Sequence, residues 1–412
     1  MAEKINTPGL IFNGLVRENH PLVILKNKIN WSNIKNECTY KESSMGRKGF
    51  GLEFHLGAAI LKHTFNFSDD RLAQAIIETP VHQYFCGFSS FQPNLKINPT
   101  TFVKFRKKFG ADNFDILFKE SITINGEEAV EENVIQDTTV ANKDITYPTD
   151  SKLALHIYDN LLNIKRDTDI KLKDMYRNDI YDIKRIIRFE NNKTNSEKVK
   201  KAKKTLNTIV KRMVRDVERN LEKSGYLEEY KDELDLYTRV LNQTKNSKNK
   251  IYSLEEVDIY CVAKGKAWVP YEYGFKVGIA IGEENTVILG NHCCKKNIHD
   301  SKVAPEVLDH VELMTGTRPK NSFQDRGFAG ALDHKGTNMI CPDIPSKDIS
   351  DALKEEKRFH FRRRSAVEAI ISHLKLYFRL GRDFLKGFEG SNINLKLACI
   401  GYNVSKFLRK IR

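Results

Sequence analysis

Three acids mark the sequence by the company they keep: Asp137 in "VIQDTTV", Asp325 in "SFQDRGF" and Glu368 in "RRRSAVEAIISHLK". Asp137 follows a short apolar strand and precedes a polar "TT". Asp325 ends another strand and precedes "RG". Strand ends beside polar turns are where open α/β sheets place their ligand-binding acids. A lone aspartate at such a place more commonly caps the turn. Glu368 differs, because it lies among bases on a helix. At about 100° per residue, Arg364, Glu368, Lys375 and Arg379 return to within roughly 60° of one another. Val367, Ile370, Ile371, Leu374 and Phe378 form an apolar stripe beside them that can anchor the helix in a core. On a solvated face, Arg364 and Glu368 would be only a weak i,i+4 pair. Three carboxylates gathered at about 4 Å repel by a few kcal/mol per pair at an effective dielectric near 20. Such a cluster persists only if protonated or bridged by cations. Oxygen-only ligation points to Mg²⁺ or Mn²⁺ rather than zinc.

The elements needed to position these acids are legible as periodicities. Residues 1–125 read as mostly helical. Ser68 caps "DDRLAQAI", and "NPTTFVKFRKKFG" is a helix with Pro99 near its start and Gly110 as its stop. Phe102, Phe105 and Phe109 share one face of that helix. Lys104, Lys107 and Lys108 occupy the other, as a DNA-reading surface or simply a solvated one. Residues 126–150 turn β-like. In the charged stretch 151–250, Val199, Ala202, Leu206, Ile209, Met213, Val217 and Leu221 step by three or four, up to Gly225. That spacing predicts a helical hairpin or small bundle, with the polar "NQTKNSKNK" leading out of it. From residue 251, "VDIYCVAKGK", "YEYGFKVGIAIGEE" and "NTVILGNHC" read as successive strands. A helix ending at Gly316, a strand into Asp325, the short strand "NMICPDIP" and the Glu368 helix follow. The fold class expected is therefore α/β, interrupted after its first strand by a helical insertion and preceded by an all-helical region.

Charge narrows the partner. The chain of 412 residues carries a formal charge of +14, unevenly placed. Residues 354–412 hold 15 Lys/Arg against 5 Asp/Glu, and residues 161–250 hold 24 against 15, which leaves the remainder acidic. Contiguous basic blocks are what binding to an anionic polymer requires. No run approaches about 18 apolar residues, the length that would span a membrane. The N-terminus lacks a secretion signal, and the seven cysteines form no CxxC pair. A reducing, cytoplasmic setting is the expectation. Elsewhere, Arg326 is equally a phosphate contact or an ion-pairing residue. Asp300 or Ser301 is expected to cap the helix after "NIH". His373 lies about 140° from Glu368 around the helix and is not counted as a ligand. Trp268 is a surface aromatic in a strand turn, with base stacking as its second reading.

The order "QDTT…QDRGF…RRRSAVEAIISHLK" resembles the DDE transposases of bacterial insertion sequences, whose catalytic domain has a ribonuclease-H-like fold. The resemblance runs from the helical N-terminus to "ACIGYNVSKFL". In one branch of that family the third acid belongs to a Tyr-x2-Arg-x3-Glu-x6-Lys signature. Arg364, Glu368 and Lys375 match that spacing, and Phe361 stands at the tyrosine position. The resemblance implies Asp137, Asp325 and Glu368 as catalytic, metal-binding residues for two Mg²⁺ ions, or Mn²⁺. It implies Arg364 and Lys375 as phosphate contacts, with Arg326, Arg379, Lys104, Lys107 and Lys108 as further DNA-binding candidates. The partner would be double-stranded DNA, both terminal inverted repeats and target. The protein would act as a homodimer or higher oligomer on that DNA, in a bacterial cytoplasm and at the nucleoid when bound. The domains expected are 1–125 for DNA ends, 126–150 and 251–412 for catalysis, and 151–250 as the insertion. A nuclease without strand transfer, or a catalytically inert DNA-binding derivative, would present the same acids or the same charge.

Overall fold

The computed structural model describes residues 9–41, 49–188, 196–265, 268–330, 333–342 and 351–411, without the side chains of 351–354, 356–358, 360 and 361. Two compact units emerge: Met1–Asp144 together with Val262–Arg412, and Ile145–Cys261. Among the described residues no helix is long and apolar enough to cross a membrane.

The larger unit is mixed α/β with a helical N-terminal region. A small ribbon of β1 (Leu10–Ile11) and β2 (Val16–Arg17) precedes α1 (Pro21–Lys28), α2 (Trp31–Glu37), α3 (Leu52–Thr64), α4 (Asp69–Glu78), α5 (Pro80–Phe85) and α6 (Thr100–Thr123). The Ser68 side chain accepts the Arg71 N–H at 3.1 Å, and Asp69 and Asp70 occupy the first turn of α4, where the helix dipole favours them. Gly110 does not end α6. With φ of 76° it kinks the chain, and helix resumes to Thr123. The reason is a continuing apolar face: Phe114, Leu117 and Phe118 are buried like Phe102, Phe105 and Phe109 before the kink.

Then come β3 (Asn133–Asn142) and, in the smaller unit, α7 (Asp150–Thr168), α8 (Arg177–Ile187), α9 (Ser196–Ser224) and α10 (Leu227–Asn242). These four helices share one apolar core that includes Leu161, Val210, Val217, Leu221 and Tyr237. The chain returns through β4 (Tyr260–Ala263), β5 (Tyr271–Gly282) and β6 (Ile288–Cys293). It continues with α11 (Asp300–Thr315), β7 (Asn321–Phe323), β8 (Asn338–Ile340), α12 (Asp351–Tyr377) and α13 (Gly387–Lys410). Among the described residues the strands order as β4-β5-β3-β7-β8, with β6 also on β5. β3 pairs antiparallel with β5 and parallel with β7, so the sheet is mixed. The arrangement is consistent with a ribonuclease-H-like fold.

The sheet is covered closely. A Cβ at Gly278 of β5 would stand 2.6 Å from Val307 Cγ2 and 2.7 Å from Val303 Cγ1 of α11, so glycine there lets that helix lie against the sheet. α12 packs on β3, with Val367, Ile370 and Leu374 buried along it and Phe378 buried just past its end. Each such burial contributes about 1.5–3 kcal/mol. α13 packs on α3, α6 and β6, and so joins the N-terminal helices to the sheet.

Two expectations about element ends are corrected. Asp137 does not follow its strand but lies inside it, opposite Ile279 of β5. Thr138 and Thr139 are β-branched and continue the ladder rather than turning it. The Glu368 helix does not run on past Arg379. It stops at Tyr377, and the Leu380 and Gly381 N–H groups fold back onto the Leu374 and Lys375 carbonyls at 3.0 and 3.2 Å. Arg379 itself sits in the left-handed region with φ of 68°.

Candidate active site

Asp137 and Asp325 are brought level by the sheet. The parallel register pairs Ile135 of β3 with Phe323 of β7. Two residues farther along each chain stand Asp137 and Asp325. Asp325, just beyond β7, accepts the Gly327 N–H at 2.7 Å and starts a short 3-10 turn over Arg326–Phe328. It is thus a turn cap as well as a strand-end acid. α12 supplies Glu368, one residue after the fully buried Val367 that seats the helix on β3.

The three acids sense one another. Asp137 is half-buried, and its Oδ1 accepts the Thr138 N–H at 2.7 Å. Its pKa is raised to about 6, first by burial. The Asp325 and Glu368 charges push it the same way, while the Thr138 amide and the Arg364 guanidinium oppose. Glu368 has its side chain 58% exposed and accepts from Arg364 Nη2 at 2.7 Å. Arg364 is mostly covered, and its Nη1 has no hydrogen-bond partner. Lys375, two turns farther along α12, ion-pairs with Glu272 Oε1 of β5 at 2.9 Å. Lys264 approaches the other oxygen of Glu272 at 3.5 Å. Burial alone would raise the Glu272 pKa. The bond and charge of Lys375, the charge of Lys264 and the Asn142 amide outweigh it and hold that carboxyl below its usual range.

Asp325, Glu368 and Arg364 thus all act electrostatically on Asp137, while Lys375 pairs with Glu272 of β5. Arg379 is not among them. Because α12 ends early, that guanidinium turns to Asn66, donating to its carbonyl and side-chain oxygens at 3.3 Å. Arg326 is exposed beside Asp325. Lys104, Lys107 and Lys108 are exposed on α6, and Lys108 lies over the Tyr40 ring at 4.9 Å. His373 is exposed, and Trp268 is 97% exposed. The Phe361 side chain lies outside the described residues.

Two groups near this site escaped the sequence reading. Glu272, the partner of Lys375, is signalled only as an acid near the start of a strand that is otherwise apolar and aromatic apart from Lys276. Asp300 is not a helix cap: His299 is, accepting the Ser301 N–H at 3.3 Å. Asp300 instead binds Lys276 at 2.9 Å, and its Oδ2 lies 3.5 Å from where a Cβ of Gly327 would be. A lysine in the middle of a buried strand was the available signal.

Asp137, Asp325 and Glu368 offer only carboxylate oxygens, the donor type that a hard divalent cation takes. Among the described residues, no three His, Cys, Asp or Glu side chains stand together as a metal-binding group. Comparison with known proteins gives the family. Residues 11–108 match the family model described as Transposase domain (DUF772), and residues 246–404 match Transposase DDE domain. The chain belongs to the insertion-sequence DDE transposases. The matched stretches of this transposase include Asp325 and Glu368, while Asp137 falls between them. The transposase is also 29% identical over 167 residues to a Rhizobium meliloti protein named uncharacterized protein ORF8 in nfe locus. That match covers 39% of this chain and 81% of the relative. No solved structure matches it. Enzymes of this family act on DNA and use divalent metal ions.

Proposed function

We propose that this transposase cuts DNA at the terminal inverted repeats of its insertion sequence and joins the freed 3′ ends to target DNA. In this reading the larger unit holds a ribonuclease-H-like catalytic domain, the four-helix unit is an insertion within it, and the N-terminal helices hold the DNA ends. The observation that carries the reading is the raised pKa of Asp137, driven first by burial, with Asp325 and Glu368 both adding to it across the fold. A covered carboxylate with like charges beside it is relieved by a compensating cation.

Asp137, Asp325 and Glu368 would hold two Mg²⁺ or Mn²⁺ ions, which when bound supply activation of the attacking oxygen and stabilisation of the leaving one. The chain's own part is positioning. β3 and the turn after β7 fix two ligands. Glu368, paired with Arg364 in this structure, would be the third. Arg364, then released, offers a bidentate fork to a DNA phosphate, and Lys375 offers a point charge, with Glu272 as its resting partner. The protein would work as a homodimer or higher oligomer on DNA. The test is Asp137→Asn in an assay on the ends of the element. Strand cleavage and joining are lost while end binding stays near wild type. Undiminished cleavage by that variant removes Asp137 from the mechanism.

A further inference from the structure

A groove of about 590 Å³ that none of the three acids lines is bounded by the end of α3, the start of α4, α6 and the segment after α12. Its charge is unbalanced in a specific way. At the rim, Lys107 and Lys386 are matched by Asp70 and Glu389, all exposed. Inside, Asp69 faces three cations. Arg106, 5% exposed, grips both Asp69 oxygens at 2.8 and 2.6 Å, and Lys62, 6% exposed, reaches Oδ1 at 2.6 Å. Arg379, turned here by the early end of α12, is the third, and both Asp69 and Arg106 act on its charge. One carboxylate therefore lies among three cations, two of them buried and bonded to it, and Arg106 Nε still has no hydrogen-bond partner.

Buried charge in surplus is costly unless something of opposite sign completes it. The strain is visible at Lys62, whose pKa falls to about 8, through burial first and the neighbouring Arg106 charge next. The backbone adds to the same sign. α13 begins at this groove with Lys386 in the cap position and no side-chain cap, so the positive end of a 24-residue helix faces the same space.

We propose that this groove is a phosphate-binding site in which Arg379, Lys62 and Arg106 around Asp69, with the uncapped start of α13, seat one phosphate group. Two sources share that chemistry: a phosphodiester of the DNA backbone and free inorganic phosphate. The DNA source rests on the function proposed above; the site itself does not. Arg379 is then a DNA contact after all, though at a place separate from the acids. A lone inward cation would not bind DNA this way, but a surplus arrayed around one carboxylate holds a monoanion without neutralising the pair already formed.

Two arms on the full-length protein test this. In the first, thermal unfolding is followed with inorganic phosphate against chloride at matched ionic strength. Phosphate raises the melting temperature of the wild type, and Arg379→Gln removes that gain. Lys107→Gln, at the exposed rim where folding is not at stake, diminishes it. In the second arm, binding to a duplex carrying the element's end is measured against salt. Arg379→Gln binds about tenfold more weakly, with a salt slope smaller by about one. Loss in both arms supports a DNA phosphate in the groove. Loss of phosphate protection with an unchanged DNA slope supports the site with free phosphate as its ligand. Equal protection by phosphate and chloride, with DNA binding unchanged in both variants, overturns the proposal. A wild type that binds no duplex defeats the DNA reading, and the phosphate arm still decides the groove.

Discussion

Replacing Asp137 by Asn should make the metal-free protein more stable while destroying its activity, and the size of that gain follows from the site. The Asp137 pKa rises from 3.8 to about 6, so holding its carboxylate charged in the folded state costs about 3 kcal/mol at about 1.4 kcal/mol per unit. Asn removes the charge yet keeps an oxygen able to accept the Thr138 N–H. Some of the charge-assisted strength of that bond goes with it, leaving an expected gain of about 1–3 kcal/mol near neutral pH. For a unit of this size that is a melting-temperature rise of about 2–6 °C. The pH dependence carries the sign. A folded pKa above the unfolded one favours the wild-type fold fully below 3.8, and that advantage is lost as pH rises through about 6. The gap between variant and wild type should therefore be near zero at low pH, open between these values and stay flat above them. Thermal melts in a chelator across this range measure it. Added Mg²⁺ or Mn²⁺ should stabilise the wild type and leave the variant little changed. A variant less stable than wild type at neutral pH in chelator, or a gap indifferent to pH, would refute the raised pKa of Asp137.

Asp69→Asn leaves Arg106 and Lys62 without their shared carboxylate and should cost about 3–5 kcal/mol by urea unfolding. The Asp69 pKa is lowered to about 2, so in the wild type this contribution is present above 3.8 and is lost as pH falls toward 2. Gly278→Ala drives a Cβ into Val303 and Val307 and should cost about 1–3 kcal/mol through overpacking, read from the same melts. Lys375→Gln should weaken duplex binding by a similar factor for every sequence and lower the salt slope by about one, as the loss of a phosphate contact does.

Much of this was legible locally. The apolar stripe Val367, Ile370, Leu374 and Phe378 reads off at helical spacing and is buried as that spacing requires. Ser68 caps α4, and Asp325 stands at a strand end. Element ends were less legible. Past Gly110 a second run of phenylalanines, helical in period, carries α6 on through a kink. At the end of α12 the left-handed residue is Arg379, where glycine is the usual signal, and the nearest glycine comes two residues later. The pattern there gives no stop, and a face that seemed to include Arg379 does not.

What the sequence by itself determined is the inventory: three acids, two basic blocks, the burial faces of helices and strands, and their order along the chain. Periodicity encodes which side of an element is apolar, and that information is local. Only the tertiary structure decided which charges meet. Strand order and the packing of α12 on β3 bring Asp325 and Glu368 within electrostatic reach of Asp137 across long stretches of chain, and no local pattern encodes that. The same holds for Lys375 with Glu272 and for Arg106 with Asp69. A side chain's charge is written in its type, but its pKa and its partner are properties of the space around it.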